Sequence, residues 1–135
     1  MVESVLAKHK PLESRLRAEL SAVLIFLKKS VALNVYFVSN EEIRALNRKY
    51  RGKNKTTNVL SFQAGRFPRP DLKRIYLGEI FLAPDYIRSH KESISRLIVH
   101  GLLHLLGYTH SRIRDRIEME ALEDRIEARL KKLPK

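Results

Sequence analysis

The stretch at residues 94–106, ISRLIVHGLLHLL, decides the expected fold because it is the most apolar segment of the chain. Its side chains are hydrophobic on almost every side of a helix, which is typical of a helix at the centre of a protein core. We therefore predict a buried helix over residues 92–106, and we expect the other helices and strands to pack around it.

The spacing of apolar residues outside this stretch predicts three further helices and three strands. Ser39 and Glu42 have the spacing of a capping box at the start of a helix that Gly52 ends, and Gly78 indicates a close backbone approach within a strand. The helices are predicted over residues 11–29, 39–52 and 115–133, the last with an acidic outer face. The strands are predicted over residues 31–38, 58–62 and 74–82, with a short helical turn over 83–89. This order is typical of an α+β domain with one small mixed sheet packed against helices.

Length and composition favour one ordinary folded domain, residues 1–135, because a single core typically serves roughly 100 to 200 residues. The chain is 44% hydrophobic and 31% charged and has no cysteine. Any zinc site must therefore be built from histidine, aspartate or glutamate. The start of the sequence has no apolar stretch of the signal-peptide kind, and no segment is long enough to cross a membrane. We expect a cytoplasmic protein without a membrane partner.

The formal net charge is +12, from 27 lysine and arginine residues against 15 aspartate and glutamate residues, and the excess is concentrated in one region. Residues 43–70 contain no acidic side chain and eight basic ones: Arg44, Arg48, Lys49, Arg51, Lys53, Lys55, Arg66 and Arg69. Such a basic stripe attracts phosphate and gains affinity when counterions leave a nucleic acid. The alternative is a solvated basic surface with no nucleic-acid partner.

Three of the five histidines lie within the eleven residues from His100 to His110. His100 and His104 are four apart, so on a helix they share one face and both rings can reach a single ion. Gly107 can reverse the chain and bring His110 to the same ion. Three protein ligands leave a coordination position for water or substrate, which is typical of catalytic zinc. The alternative is a core helix with two hydrogen-bonded histidines.

The spacing HxxxHxxGxxH is shared with the metzincin zinc proteases, which carry HExxHxxGxxH. Gly101 stands at the position of the glutamate that acts in those enzymes as general base. The helix is therefore metzincin-like in its histidines, but the sequence disfavours peptide hydrolysis.

The segment HGLLHLLGYTH at residues 100–110 closely resembles the H-G-x-L-H-L-x-G-Y-D-H signature of the YbeY family of bacterial rRNA maturation factors and endoribonucleases. LNRKYRGKNKTTNVLSF at 46–62, LGEI at 77–80 and MEALEDRIEARL in the last predicted helix resemble further family motifs in the same order. Four positions depart from the family pattern: Asn54, Thr56, Glu79 and Thr109. Thr109 replaces an aspartate, so this position has no carboxylate to orient a ligand, but the replacement removes no metal ligand.

This resemblance implies an enzyme that cleaves single-stranded RNA in ribosomal RNA maturation and ribosome biogenesis. One divalent metal ion, with zinc as the expected ion, would be held by His100, His104 and His110, and Arg51 and His104 would be the catalytic residues. Arg51 as a structural or phosphate-positioning residue is the alternative. The residues expected to contact RNA are Arg48, Lys49, Arg51, Lys53 and Lys55. The expected partners are an rRNA precursor, the small ribosomal subunit and ribosome-assembly proteins.

Two other functions stay open. The first is an RNA-binding ribosome-assembly factor that cuts no bond and in which the zinc is structural. The second is a metallopeptidase, which Gly101 and the basic stripe disfavour.

Overall fold

The computed structural model describes residues 2–4, 10–64, 75–108 and 112–133, with the backbone alone in 2–4. Within these ranges the strands are β1 (Val2–Ser4), β2 (Val31–Phe37), β3 (Val59–Gln63) and β4 (Ile75–Leu82). The helices are α1 (Lys10–Phe26), α2 (Asn40–Arg51), α3 (Pro84–Ser89), α4 (Ile94–Leu105) and α5 (Ile113–Leu130).

The described strands form one mixed sheet in the order β1-β2-β4-β3. β2 is parallel to β1 and β4, whereas β3 runs antiparallel to β4 and lies at an edge of the sheet. The predicted α+β class with a small mixed sheet is confirmed. β1 was not predicted, because three residues that pair with one neighbour carry no alternating pattern long enough to recognise.

Helix α4 lies in the main hydrophobic core, as the apolar stretch predicts. Ile98, Leu102 and Leu103 are fully buried there, together with side chains from α1, α5 and one face of the sheet. β2 supplies that face by strict alternation, in which every second residue from Val31 to Phe37 is buried. The helix that carries the two histidines is therefore held by packing along most of its length.

Helix α2 packs on the opposite face of the sheet around a second, smaller cluster. Its centre is Ile43, Leu60 and Ala83. The predicted capping box is present, since Ser39 Oγ accepts from the backbone N–H of Glu42 at 3.1 Å and the Glu42 carboxylate accepts from the backbone N–H of Ser39. Gly52 ends the helix with a φ of 70°. The cap and the cluster together fix where the basic C-terminal end of α2 lies.

Helix α1 is shorter than predicted and ends at Phe26 rather than at residue 29. Lys28 has a φ of 55°, a left-handed conformation that stops the helix. The predicted boundary relied on the basic residues at its end, which suit a helix C-terminus but do not define the last residue. The loop predicted after β3 falls largely on residues 65–74, which lie outside the described residues.

Gly78 allows the close approach between β4 and β3 that its position predicts. A Cβ atom at residue 78 would lie 2.1 Å from the backbone oxygen of Phe62, and the residue has a φ of 139°. Both strand pairing and backbone conformation therefore require glycine here. This places edge strand β3 tightly against β4.

Candidate metal centre and adjoining cleft

A cleft of about 700 Å³ lies between α4, the edge strand β3 and the end of α2. We call it the histidine cleft. It is lined by Arg51, Val59, Leu60, Ser61, Phe62, Gln63, His100, His104, Leu105, Gly107 and Tyr108. Two of the predicted metal ligands and the predicted catalytic arginine, which are about fifty residues apart in sequence, thus line the same cleft.

His100 and His104 lie on one face of α4, as their spacing predicts. Their Nε2 atoms are 3.0 Å apart, and the ring centroids are 4.5 Å apart at an angle of 74°. Both side chains are half-buried at the cleft wall, while the neighbouring apolar residues of α4 enter the core. The helix therefore presents two imidazole nitrogens together to the cleft.

Glu123 of α5 is a site residue that the sequence reasoning missed. It is only 6% exposed, and its Oε1 lies 2.9 Å from Nδ1 of His100. Because a carboxylate accepts hydrogen bonds, Nδ1 of His100 is the donor in this contact, and in the neutral form of the ring the lone pair is then on Nε2, which faces Nε2 of His104. An acidic outer face was predicted for the last helix, but Glu123 lies on its buried side. Glu123 lies four residues after Met119 and three residues before Ile126, and this helical spacing places it on the same buried face as those two residues.

Arg96 completes a charged network behind the histidines. Its guanidinium lies 3.6 Å from the Glu123 carboxylate and 3.1 Å from Asp124, and it also pairs with Glu127. The hydrogen bond to Asp124, with contributions from Glu127 and Glu123, raises the pKa of Arg96 above its ordinary value. Arg96 therefore keeps its positive charge next to the buried Glu123 carboxylate, which reduces the cost of burying that carboxylate.

Gly101 packs where α4 crosses the sheet. A Cβ atom at this position would lie 2.9 Å from Oγ of Ser61 and 3.2 Å from Cδ1 of Ile80. A side chain at residue 101 would thus press against Ser61 and Ile80 of the sheet. The close contact between α4 and β3 gives a physical reason for glycine at a position that carries the catalytic base in metzincins.

Arg51, the last residue of α2, reaches the edge of β3. Its Nη2 donates to the backbone oxygen of Ser61 at 2.7 Å, and its guanidinium carbon lies 5.0 Å from the ring centroid of Phe62. These contacts hold an exposed guanidinium at the cleft wall. Because a guanidinium has five N–H donors, one bond to Ser61 leaves donors for an anion in the cleft.

The other predicted RNA-contacting residues lie outside the wall of the histidine cleft. They are exposed on the last turns of α2 and in the loop that follows: Arg48, Lys49, Lys53 and Lys55. The buried amide of Asn47 donates to the backbone oxygen of Lys55 at 2.9 Å and thereby ties this loop to α2. The sequence reasoning missed this function of Asn47, because a buried asparagine in a polar helix has no distinctive pattern. Arg66 and Arg69 of the basic stripe fall outside the described residues.

The third predicted ligand, His110, lies outside the described residues, as does Thr109. Gly107 has a φ of 104°, and the backbone N–H of Tyr108 donates to the oxygen of Leu103 at 3.0 Å, so α4 ends with the predicted chain reversal. Within the described ranges, no three histidine, aspartate or glutamate side chains form a group able to hold a metal ion.

A second groove is a poorer candidate for the metal site. It has a volume of about 1220 Å³ and lies between α1, α3 and the ends of α4 and α5, but none of its lining residues is a histidine.

None of the helices in the described part of the chain combines the length and the apolarity needed to cross a membrane.

The fold and the cleft define an α+β protein in which a core helix presents paired histidines beside an arginine. A family model described as Endoribonuclease YbeY matches residues 4–131. The chain belongs to the YbeY family, which confirms the resemblance that its motifs predict.

Individual relatives agree with this assignment. Endoribonuclease YbeY of Myxococcus xanthus is 40% identical over 114 residues, which are 78% of this chain and 39% of that protein. Endoribonuclease YbeY of Agrobacterium fabrum is 38% identical over 109 residues, 75% of this chain and 65% of that protein. The chain therefore spans less than two thirds of the length of these curated relatives. A solution structure of a Thermotoga maritima protein superimposes with a TM-score of 0.63 at 26% identity and covers 96% of this chain and 89% of the other.

Proposed function

We propose that this chain is a metal-dependent endoribonuclease that cleaves single-stranded RNA during ribosomal RNA maturation, in the cytoplasm. One observation carries the proposal: Arg51 and the His100–His104 pair line a single cleft that opens to solvent. A phosphodiester needs a group that activates an oxygen and a cation that stabilises the growing charge, and these residue types supply both. The relatives from Myxococcus xanthus and Agrobacterium fabrum, both named Endoribonuclease YbeY, support the same activity.

The geometry of the histidine pair fits a shared divalent metal, with zinc as the expected ion. Tetrahedral zinc with Zn–N bonds of 2.0–2.1 Å places two ligand nitrogens about 3.3 Å apart. The Nε2 atoms of His100 and His104 lie 3.0 Å apart and approach this value without any rearrangement of α4. His110 would be the third ligand, since its side chain is an imidazole like those of His100 and His104. Glu123 supports the fit, because a histidine ligand commonly donates its other ring N–H to a carboxylate.

The bound metal would lower the pKa of a water molecule or polarise a phosphoryl oxygen. Arg51 would hold non-bridging oxygens of the phosphate with the N–H donors that its bond to Ser61 leaves available. Glu123 would keep the His100 ring in one tautomer and one orientation. The exposed cations Arg48, Lys49, Lys53 and Lys55 would hold the flanking RNA backbone, without reading its sequence.

The proposed function is tested by incubating the purified protein with a labelled single-stranded rRNA fragment. We expect cleavage, loss of cleavage after treatment with a chelator, and recovery when zinc is restored. Binding of the RNA without cleavage, together with a melting temperature that falls on metal removal, would instead support an assembly factor with structural zinc. Degraded casein beside intact RNA would support a metallopeptidase. Either result would contradict the proposal.

Replacement of Glu123 is expected to weaken metal binding. Glu123→Ala removes the carboxylate that orients His100, and the loss of such a partner lowers metal affinity roughly 10- to 100-fold. The zinc affinity of Glu123→Gln should lie between those of the unchanged protein and Glu123→Ala, because the amide oxygen of glutamine can still accept from Nδ1 of His100. The zinc dissociation constant is measured by competition with a chromophoric chelator.

Asp124→Ala is the matched control for this prediction. Asp124 also contacts Arg96 but is exposed, and the structure gives it no contact with His100. Its zinc affinity should equal that of the unchanged protein. A Glu123→Ala variant that folds and binds zinc with unchanged affinity would show that Glu123 does not orient the ligand.

A further inference from the structure

Four aromatic rings form a continuous ladder across the α2 face of the sheet and emerge beside the histidine cleft. Tyr36 of β2 stacks on its register partner Phe81 of β4 with centroids 5.1 Å apart. Phe81 meets Phe62 of β3 edge to face at 5.8 Å, and Phe62 meets Tyr50 of α2 in the same way at 5.4 Å. We call these four rings the aromatic ladder.

Tyr50 is the outer end of the ladder. Its side chain is 56% exposed, whereas the hydrophobic side chains beneath it belong to the packed cluster on this face of the sheet. Its edge-to-face contact with Phe62 restricts the ring on one side. An aromatic side chain has only two side-chain torsions, so it loses little conformational entropy when a second flat group stacks on it.

The surroundings of Tyr50 carry positive charge and adjoin the histidine cleft. Lys49 Nζ lies 5.2 Å from the centroid of the Tyr50 ring. Arg51, the next residue, lies over the Phe62 ring and lines the histidine cleft with it. The exposed ring therefore belongs to a residue that stands between two cations in sequence: Lys49, whose Nζ lies over the ring, and Arg51, the proposed phosphate-binding arginine.

We propose that Tyr50 is a stacking platform for one unpaired base of an RNA strand whose phosphate is held at Arg51. This inference rests on the proposed function and names the feature of the RNA that the site selects. Alternating cations and exposed aromatic rings are the usual surface for single-stranded nucleic acid, because every base offers a flat face and every nucleotide a phosphate. A base within a duplex has both faces stacked on its neighbours, so it has none to offer Tyr50. The platform therefore favours single-stranded RNA without selecting a particular base.

The inference is tested by the affinity of Tyr50→Leu and Tyr50→Phe for a labelled single-stranded RNA, measured by fluorescence anisotropy with chelator present so that the RNA stays intact. Leucine keeps an apolar side chain but has no ring face, so we expect about a 5- to 150-fold loss of affinity. Tyr50→Phe keeps the ring and should stay within about twofold of the unchanged protein. The weak affinity for duplex RNA should be the same in all three.

Ile25→Ser is the matched control, since it removes an apolar side chain that is 75% exposed on α1 and does not line the cleft. It should bind single-stranded RNA as the unchanged protein does. In a second arm, one nucleotide at a time is made abasic. At the position that stacks on Tyr50, the abasic RNA should bind the unchanged protein and Tyr50→Leu equally weakly.

Three outcomes would overturn the inference. The first is that Tyr50→Leu binds single-stranded RNA with unchanged affinity. The second is that Tyr50→Leu loses affinity for duplex RNA by the same factor as for single-stranded RNA. The third is that no abasic position abolishes the difference in affinity between the unchanged protein and Tyr50→Leu. Any of these, in a protein that still binds and cuts RNA, rejects the platform and leaves the proposed function intact. If the unchanged protein binds neither single-stranded nor duplex RNA, both the stacking platform and the proposed function are rejected.

Discussion

The His104→Ala variant is expected to lose RNA cleavage by about 1000-fold or more, because it would remove one metal ligand and the contact between the two imidazoles. His104 lies on the face of α4 that lines the cleft, one turn after His100 and in the last turn of the helix. With a ligand missing, the proposed metal would be held more weakly, and the charge that grows on the phosphate would lose its main stabilisation. The measurement is the single-turnover cleavage rate on a labelled single-stranded rRNA fragment.

The domain should stay folded in His104→Ala. His104 is not among the fully buried side chains of α4, which are Ile98, Leu102 and Leu103 and which hold the helix in the core. His90→Ala is the matched control, since His90 is exposed and stacks on Tyr86 outside the histidine cleft. The control should cut RNA at the unchanged rate. Cleavage by a folded His104→Ala at the same rate as His90→Ala would contradict the assignment of a catalytic metal.

The second large effect is expected for Arg51→Ala, with a loss of about 100- to 1000-fold in kcat/KM, the range found when one donor to a growing oxyanion is removed. Arg51→Lys should recover little of this loss, because an ammonium group cannot replace a planar fork that bonds Ser61 and a phosphate together. Metal affinity should not change, since the structure places no contact between Arg51 and the histidines.

Arg48→Ala separates this specific effect from loss of charge. It removes one positive charge from the same helix, outside the cleft wall, so it should weaken RNA binding modestly and reduce its salt dependence. Arg129→Ala, an exposed arginine in the last turn of α5, should change neither activity nor binding. Equal losses of kcat/KM in Arg51→Ala and Arg48→Ala would show that Arg51 contributes only general charge.

Much of the fold follows from local patterns that physical chemistry links directly to structure. The apolar stretch of α4 predicted a core helix, and residues 31–38 were predicted as a strand that the structure places at Val31–Phe37. The capping box at Ser39 and the chain reversal at Gly52 predicted both ends of α2. In each case the signal lies within a few residues of the feature that it predicts. β1 and the end of α1 depend on pairing and on one left-handed residue, for which the sequence has no comparable signal.

The site could be predicted only where its residues are close in sequence. The spacing of His100 and His104 predicted that the rings meet, and they do. Glu123 lies twenty-three residues after His100, in a helix that was predicted to have an acidic outer face. Only the packing of α5 on α4 brings it to His100. The position of Arg51 came from the family resemblance, because its contact with the edge of β3 is a tertiary feature. The aromatic ladder likewise joins four rings from four separate elements.

The most direct test of the account is an anomalous diffraction measurement at the zinc absorption edge on crystals grown with zinc. We predict one strong peak within bonding distance, about 2.0–2.1 Å, of the Nε2 atoms of His100 and His104 and of a ring nitrogen of His110. The Nδ1–Glu123 contact should be retained. Imidazole rings that point apart, with no peak between them after prolonged exposure to zinc, would contradict the account.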